Sequence, residues 1–295
     1  MPWLVQLVLP VVLLLLLAFR PERIRPIRLL QIGAIGAFLL ALHFAGLWMI
    51  PPWWTPWVLW GLFALAASRG WRRPFKPASR TVDYLGAAVW LITLGVGGWV
   101  MQEAIRARTP PAGEIINLAM PFPIGQHYVA NGGSDEIVNA HLRTLPRATT
   151  GQRNYWGQSY GIDIIATDHR GLTASQAMPV VAPCNGRVVF ARDGVADGSP
   201  VDFASPTARA GNFAILRCGA FDVALAHFRN GSLQVKPGDV VRKGQRIALM
   251  GNSGASDMPH LHIHAQRPGA AKAPFSGAPV PITINGRYLV RGDRP

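Results

Sequence analysis

The stretch GNSGASDMPHLHIHAQ, residues 251–266, places three of the chain's eight histidines at alternate positions, 260, 262 and 264. In a strand, alternate side chains share one face, roughly 6.6–7 Å apart. A lone alternating pair is often no more than two surface histidines. Here the segment LAHF (225–228) adds His227, and Asp163 interrupts the apolar run of SYGIDIIA (159–166). A buried acid needs a partner or a metal. Two neutral imidazoles and one carboxylate, with a fourth position open to water, describe a catalytic zinc (Zn2+) site. Such a site lowers the pKa of water and polarises a substrate carbonyl. The chain has no His-Glu-x-x-His helix, so a histidine must act as the general base, and a pKa near 6.5 suits that task at neutral pH.

These residues need a rigid frame. Short β-branched segments supply it: PVVAP (179–183), GRVVFAR (186–192), NFAILRC (212–218), FDVALAHF (221–228), RIALMG (246–251), HLHIHAQ (260–266) and ITING (282–286). Turn pairs such as Asn185-Gly186, Asn230-Gly231 and Lys243-Gly244 punctuate them. The pattern predicts an all-β sandwich or partly open barrel over 121–295, entered by a proline-containing linker at 106–120. DGVADGSPVDFASPTARAG (193–211) reads as a long polar loop beside the cleft. Cys184 and Cys218 are the two cysteines. They can pair only if their Cα atoms lie within about 7 Å, which sequence leaves open.

Residues 1–105 differ in kind. Apolar runs at 3–19, 29–50, 57–68 and 84–105 predict about four transmembrane helices. The first run lacks a basic n-region and a small-residue cleavage site, so it reads as a retained helix. The loops RPERIRPIR (20–28) and RGWRRPFKPASR (69–80) carry nine basic residues, and the turn PPWWTP (51–56) carries none. The positive-inside rule puts both basic loops in the cytoplasm and residues beyond 105 outside. His43, inside an apolar run, reads as a packed histidine. Of the net charge of +14, residues from Arg106 onward contribute 20 basic and 12 acidic groups, or +8. An outward-facing basic unit on a helical anchor fits an anionic envelope polymer or lipid surface better than nucleic acid, and simple solubility equally well.

Three quoted stretches, VVAPCNGRVVFA, LAHFRNGSLQVKPGDVVRKGQRIALMGNSG and MPHLHIH, resemble in order and spacing the lysostaphin-like zinc endopeptidases, which cleave cell-wall cross-bridge peptides. The resemblance covers roughly residues 120–268. It implies that His262 and Asp163 bind zinc and that His227 and His260 act in catalysis. One of these two would orient or deprotonate the attacking water, and the other would hydrogen-bond the developing oxyanion. The family usually places its first zinc histidine four residues before the aspartate, where this chain has Ser159. A branch of the family has an Asn-His stretch well upstream, and VNAHL followed by SYGID looks like that branch, which makes His141 the third ligand. His127 and His169 are rivals, and the absence of any third ligand is a further possibility. The implied substrate is peptidoglycan peptide, with the helices holding the protein at a bacterial inner membrane. The other reading is an inactive relative that binds wall or regulates a partner hydrolase. Tyr160, Asn139 and His264 could support the site. Arg143, Arg147, Arg153 and Arg209, in loops near 131–157 and 193–211, could meet acidic wall groups. The VKPGDVVRKGQRIALMG hairpin also occurs in lipoyl-type carriers. Lys243 lacks their flanking Met pair, so the hairpin speaks for fold and says little about chemistry.

Overall fold

The histidine stretch folds as a strand, Leu261–Gln266, in which all six residues are buried. A computed structural model describes residues 4–49, 51–75, 81–123, 126–144, 156–167, 178–269 and 273–295. The chain divides into two compact units, Met1–Arg106 and Ala107–Pro295.

The second unit is β-rich. Its strands are β1 (Ile116–Leu118), β2 (Gln126–Asn131), β3 (Ile162–Thr167), β4 (Pro179–Val181), β5 (Gly186–Arg192), β6 (Phe213–Cys218), β7 (Phe221–Ala226), β8 (Val240–Val241), β9 (Arg246–Leu249), β10 (Leu261–Gln266), β11 (Pro279–Val280) and β12 (Ile282–Ile284). The main sheet runs β2-β3-β10-β7-β6-β5-β8, with β11 also on β10. The pairs β4–β9 and β1–β12 form two small sheets, the second parallel. β1 therefore falls within the stretch read as linker.

Period-two alternation sorts the two faces of the central strands. Ile162, Ile164, Val223, Leu225, Leu261, Ile263 and Ala265 enter the main hydrophobic core. Each large aliphatic side chain there contributes about 1.5–3 kcal/mol by leaving water. The residues between them, Asp163, Ala224, Ala226, His262 and His264, must then take the opposite face. Cross-strand register sets His262 opposite Asp163 on β3 and opposite Ala226 on β7, and His264 opposite Ala224. The alanines leave room for imidazoles that larger neighbours would displace. Cys184 and Cys218 form a disulfide with Cα atoms 6.0 Å apart, tying the turn before β5 to the end of β6.

The polar loop 193–211 contains a short helix, α5 (Pro206–Ala210), capped by Ser205 Oγ, which accepts from the Ala208 amide. The loop is pinned rather than open. The His227 amide donates to Ala210 O and the Ala255 amide to Arg209 O. Gly211 and Gly254 both adopt positive φ where these segments touch, and a Cβ on either would fall 2.4–2.5 Å from backbone atoms of the other segment.

The first unit holds α1 (Leu9–Phe19), α2 (Arg25–Ala45), α3 (Thr55–Trp71) and α4 (Thr81–Arg106). Prolines near their N-termini help start α1, α2 and α3, where a missing N–H costs nothing. Gly97 lets α4 approach the α2 backbone, since a Cβ there would lie 2.9 Å from Phe38 N. Of the about four expected spans, two are matched by length and composition. Among the described residues, two helices, Arg25–Ala45 and Tyr84–Arg106, are long and apolar enough to cross a membrane. The first apolar run divides into a π-helical turn, Leu4–Val8, and α1. Pro10, which cannot donate the i→i−4 bond, marks that break. α3 stops at 17 residues. His43 packs edge-on against Trp57, with ring centroids 5.0 Å apart.

Candidate metal centre

Asp163 Oδ1 is the focus of the site. His262 Nδ1 lies 2.9 Å from it, His141 Nε2 3.5 Å and His260 Nε2 3.6 Å. The ligand atoms of His141, Asp163 and His262 all lie within 4.8 Å of one another. His260 reaches the same oxygen but stands outside that mutually close set. Four ligands at about 2.0–2.1 Å from a tetrahedral zinc are separated by roughly 3.3 Å. The two contacts of 2.9 and 3.5 Å bracket that spacing.

Backbone and amide partners fix the tautomers. His141 sits in a short 3-10 turn, Ala140–Thr144. Its backbone amide donates to Asn139 Oδ1, and its Nδ1 lies 3.0 Å from the same oxygen. An amide oxygen only accepts, so Nδ1 carries the proton and Nε2 faces Asp163 with a lone pair. Asn139 is fully buried, and its Nδ2 donates to Gly133 O and Gly161 O. His262 Nε2 lies 2.8 Å from His264 Nδ1. A metal at Nδ1 leaves the His262 proton on Nε2, aimed at that acceptor. Gly161 is required beside this ring, because a Cβ there would meet His262 Cε1 at 2.6 Å.

Asp163 is held from its other oxygen. Asn131 Nδ2 donates to Oδ2 at 2.8 Å. Asn131 Oδ1 in turn accepts from Arg291 Nη2 at 2.8 Å, and Arg291 also donates to Ala130 O and Ile137 O. Sequence reasoning missed Asn131 and Arg291; neither lies in a motif, and 160 residues separate them. Substituting Asn131→Ala or Arg291→Met is expected to weaken zinc binding by about 10–100-fold, the usual cost of losing such an outer partner. Competition with a fluorescent chelator would read this directly, and unchanged affinity in both variants would rule the clamp out.

Burial opposes the Asp163 charge, but the surrounding imidazoles of His141, His260 and His262 outweigh it and hold the carboxyl well below its usual range. Burial lowers the His141 pKa to about 4; Asp163 opposes the shift, and His262 and His260 add to it. His227 and His264 are lowered in the same direction, chiefly by burial. His141 is thus a neutral imidazole beside the Asp163 carboxylate at neutral pH, as ligands of a zinc site must be. The sign of the pH effect follows. Between pH 6.5 and 4 the unfolded chain takes up a proton at His141 that the folded chain refuses. Metal-free protein therefore loses stability as pH falls through that window, by about 3 kcal/mol from His141 alone. Urea unfolding of the chelator-treated protein between pH 7 and 4 should show the loss, and His141→Gln should flatten it. An equal slope in the variant would contradict the assignment.

His227 and His260 flank the set, with ring centroids 4.6 Å apart. His227 ends β7 at φ 66°, which is uncommon for a residue with a side chain. Its amide bond to Ala210 O and the Gly251 amide on its own carbonyl fix that geometry. His227 Nδ1 lies 2.8 Å from Ser253 O, and His260 Nδ1 lies 2.8 Å from Met258 O. Both therefore hold a proton on Nδ1, and Nε2 is the ring nitrogen turned toward the site.

The remaining expected residues separate. Ser159, fully buried, pairs with Thr144 Oγ1 at 2.8 Å, and Thr144 donates to His141 O. The serine thus braces the turn that carries His141. His127 is stacked on Phe122 and is not in the close set. Arg143 is exposed near Glu136, and Arg209 lies over the Phe203 ring. His169, Arg147 and Arg153 lie outside the described residues.

Residues 158–274 match the profile of Peptidase family M23. A Haemophilus influenzae protein described as an uncharacterized metalloprotease is 34% identical over 132 residues, covering 42% of this chain and 25% of that protein. The match thus spans a quarter of that relative's length. A zinc-containing peptidase from Vibrio cholerae is 26% identical over 41% of this chain and 30% of its own, with a TM-score of 0.27. The catalytic domain of the antimicrobial peptidase lysostaphin from Staphylococcus simulans is 25% identical over 39% and 71%, with a TM-score of 0.28. Over residues 158–274 the second unit is thus similar to peptidases of family M23.

Proposed function

We propose that this chain is a membrane-anchored zinc endopeptidase that hydrolyses peptide cross-links of bacterial peptidoglycan. The convergence of His141 Nε2, His262 Nδ1 and Asp163 Oδ1 carries the reading. These three residues would hold the metal, which when bound supplies Lewis-acid polarisation of the scissile carbonyl. His260 and His227 present their Nε2 atoms to the site. One takes the proton of the attacking water, and the other, once protonated, hydrogen-bonds developing negative charge on the substrate oxygen.

The anchor reading rests on α4. Its apolar window is only 11% buried, and Val89, Ile92, Val96 and Trp99 are each more than half exposed. Apolar exposure on that scale asks for a nonaqueous or protein cover. With all four helices crossing and both basic loops in the cytoplasm, the second unit faces the periplasmic or extracellular side of the inner membrane. Peptidoglycan digested with the purified protein should release new amino termini and shorter cross-linked peptides by mass spectrometry. Intact cross-links after digestion with zinc-loaded protein would sink the proposal. Ser159, standing where the family usually has a zinc histidine, favours the second reading of an inert wall-binding relative. Wall pull-down without hydrolysis or metal would be its signature.

A further inference from the structure

We infer that the basic end of the helical unit binds the headgroup of an anionic glycerophospholipid. A cavity of about 280 Å³ lies there, lined by Arg20, Arg23, Arg28 and Arg73, with Phe19 at its edge. Arg28 is fully buried. Its guanidinium donates to Glu22 O at 2.6 Å, Arg73 O at 2.8 Å and Gly70 O at 3.2 Å, and lies 4.0 Å from the Phe75 ring centroid. These are dipoles and a ring face, not a counter-charge. Glu22, the acid of this loop, acts on the Arg28 charge, and its Oε1 accepts from Trp90 Nε1. Among the described residues, none of the four arginines makes an ion pair.

Four arginines lining one concavity, with Glu22 as the acid of their loop, leave an excess of positive charge that an entering anion would offset. Guanidinium forks match phosphate oxygens in a planar, two-pronged geometry that ammonium groups lack. The neighbouring surface selects a lipid over a free ion. Leu15, Leu16 and Phe19 are 52%, 40% and 53% exposed on α1, leading away from the cavity along the helix. A phosphate seated among the arginines would lay its acyl chains on this apolar surface. Basic pockets between membrane helices bind anionic headgroups by this combination of charge and apolar contact.

The inference rests on the membrane reading above, and its test separates the two. The full chain in neutral detergent would be titrated with phosphatidylglycerol, phosphatidylcholine and inorganic phosphate under native mass spectrometry. One equivalent of phosphatidylglycerol should bind at concentrations where phosphatidylcholine does not. A variant carrying Arg20→Gln, Arg23→Gln and Arg73→Gln spares Arg28, which braces the fold, and should bind phosphatidylglycerol on the order of 100-fold more weakly. Undiminished binding by the variant, or equal binding of both lipids, overturns the site. Full displacement of the lipid by millimolar phosphate also overturns it, because the ligand would then be a soluble anion. Insertion of the protein into phosphatidylcholine nanodiscs is the separate control. A chain that inserts without lipid preference loses this site alone; one that fails to insert loses the membrane reading as well.

Discussion

His141→Ala is expected to strip zinc from a protein that otherwise purifies with close to one equivalent. The side chain supplies one of three donor atoms within 4.8 Å of one another, and its lone pair is aimed inward by Asn139. Two protein ligands and water remain in the variant, too few for a closed grip on the metal. Hydrolysis should fall by on the order of 10³-fold, the equivalent of several kcal/mol of lost carbonyl polarisation. Elemental analysis beside a wall-digestion assay decides the matter. Full zinc in the variant would remove His141 from the site and shift attention to His260, which approaches the same Asp163 oxygen at 3.6 Å. No zinc in either protein would favour the wall-binding reading. Ser159→His in the His141→Ala background asks whether the usual family position can take over. The Ser159 hydroxyl points to Thr144, so restoration should be partial at best.

The second large effect concerns His227 and His260, which should separate metal binding from chemistry. Alanine at either position is expected to leave zinc content intact and lower kcat by about 10²–10⁴-fold, the usual contribution of a positioned acid or base. The double variant should lose little more than the worse single, because residues acting as a unit do not add. Zinc loss in the His260 variant would make that residue a ligand. Normal turnover in the His227 variant would reduce its left-handed backbone to a structural detail.

The sequence showed β10 well, because period-two alternation states directly that 260, 262 and 264 share a face. It showed Asp163 because a charge in an otherwise apolar strand is conspicuous. His141 was visible only through the resemblance to a branch with an upstream histidine, since a 3-10 turn has no period to announce it. Asn131 and Arg291 were invisible. Their role depends on β2 packing beside the chain near residue 291, a long-range contact that local pattern does not encode. Helix lengths were less legible for a related reason: window averages register apolar content but not the break at Pro10 or the 17-residue length of α3. The cysteines illustrate the same boundary, because pairing turns on a Cα separation set by neighbouring strands.

The clamp on Asp163 also bears on the order in which the molecule acquires its chemistry. Asp163 meets His262 across 99 residues, and Asn131 meets Arg291 across 160. Contacts so distant along the chain form late, because loop-closure entropy must be overcome before they contribute. A ribosome adds roughly 5–20 residues each second, so the amino-terminal helices emerge many seconds before Arg291 does. The nascent protein would pass through its transit in a form unable to grip metal firmly. A site assembled from such distant parts of the chain closes only after the helices of the first unit have been made.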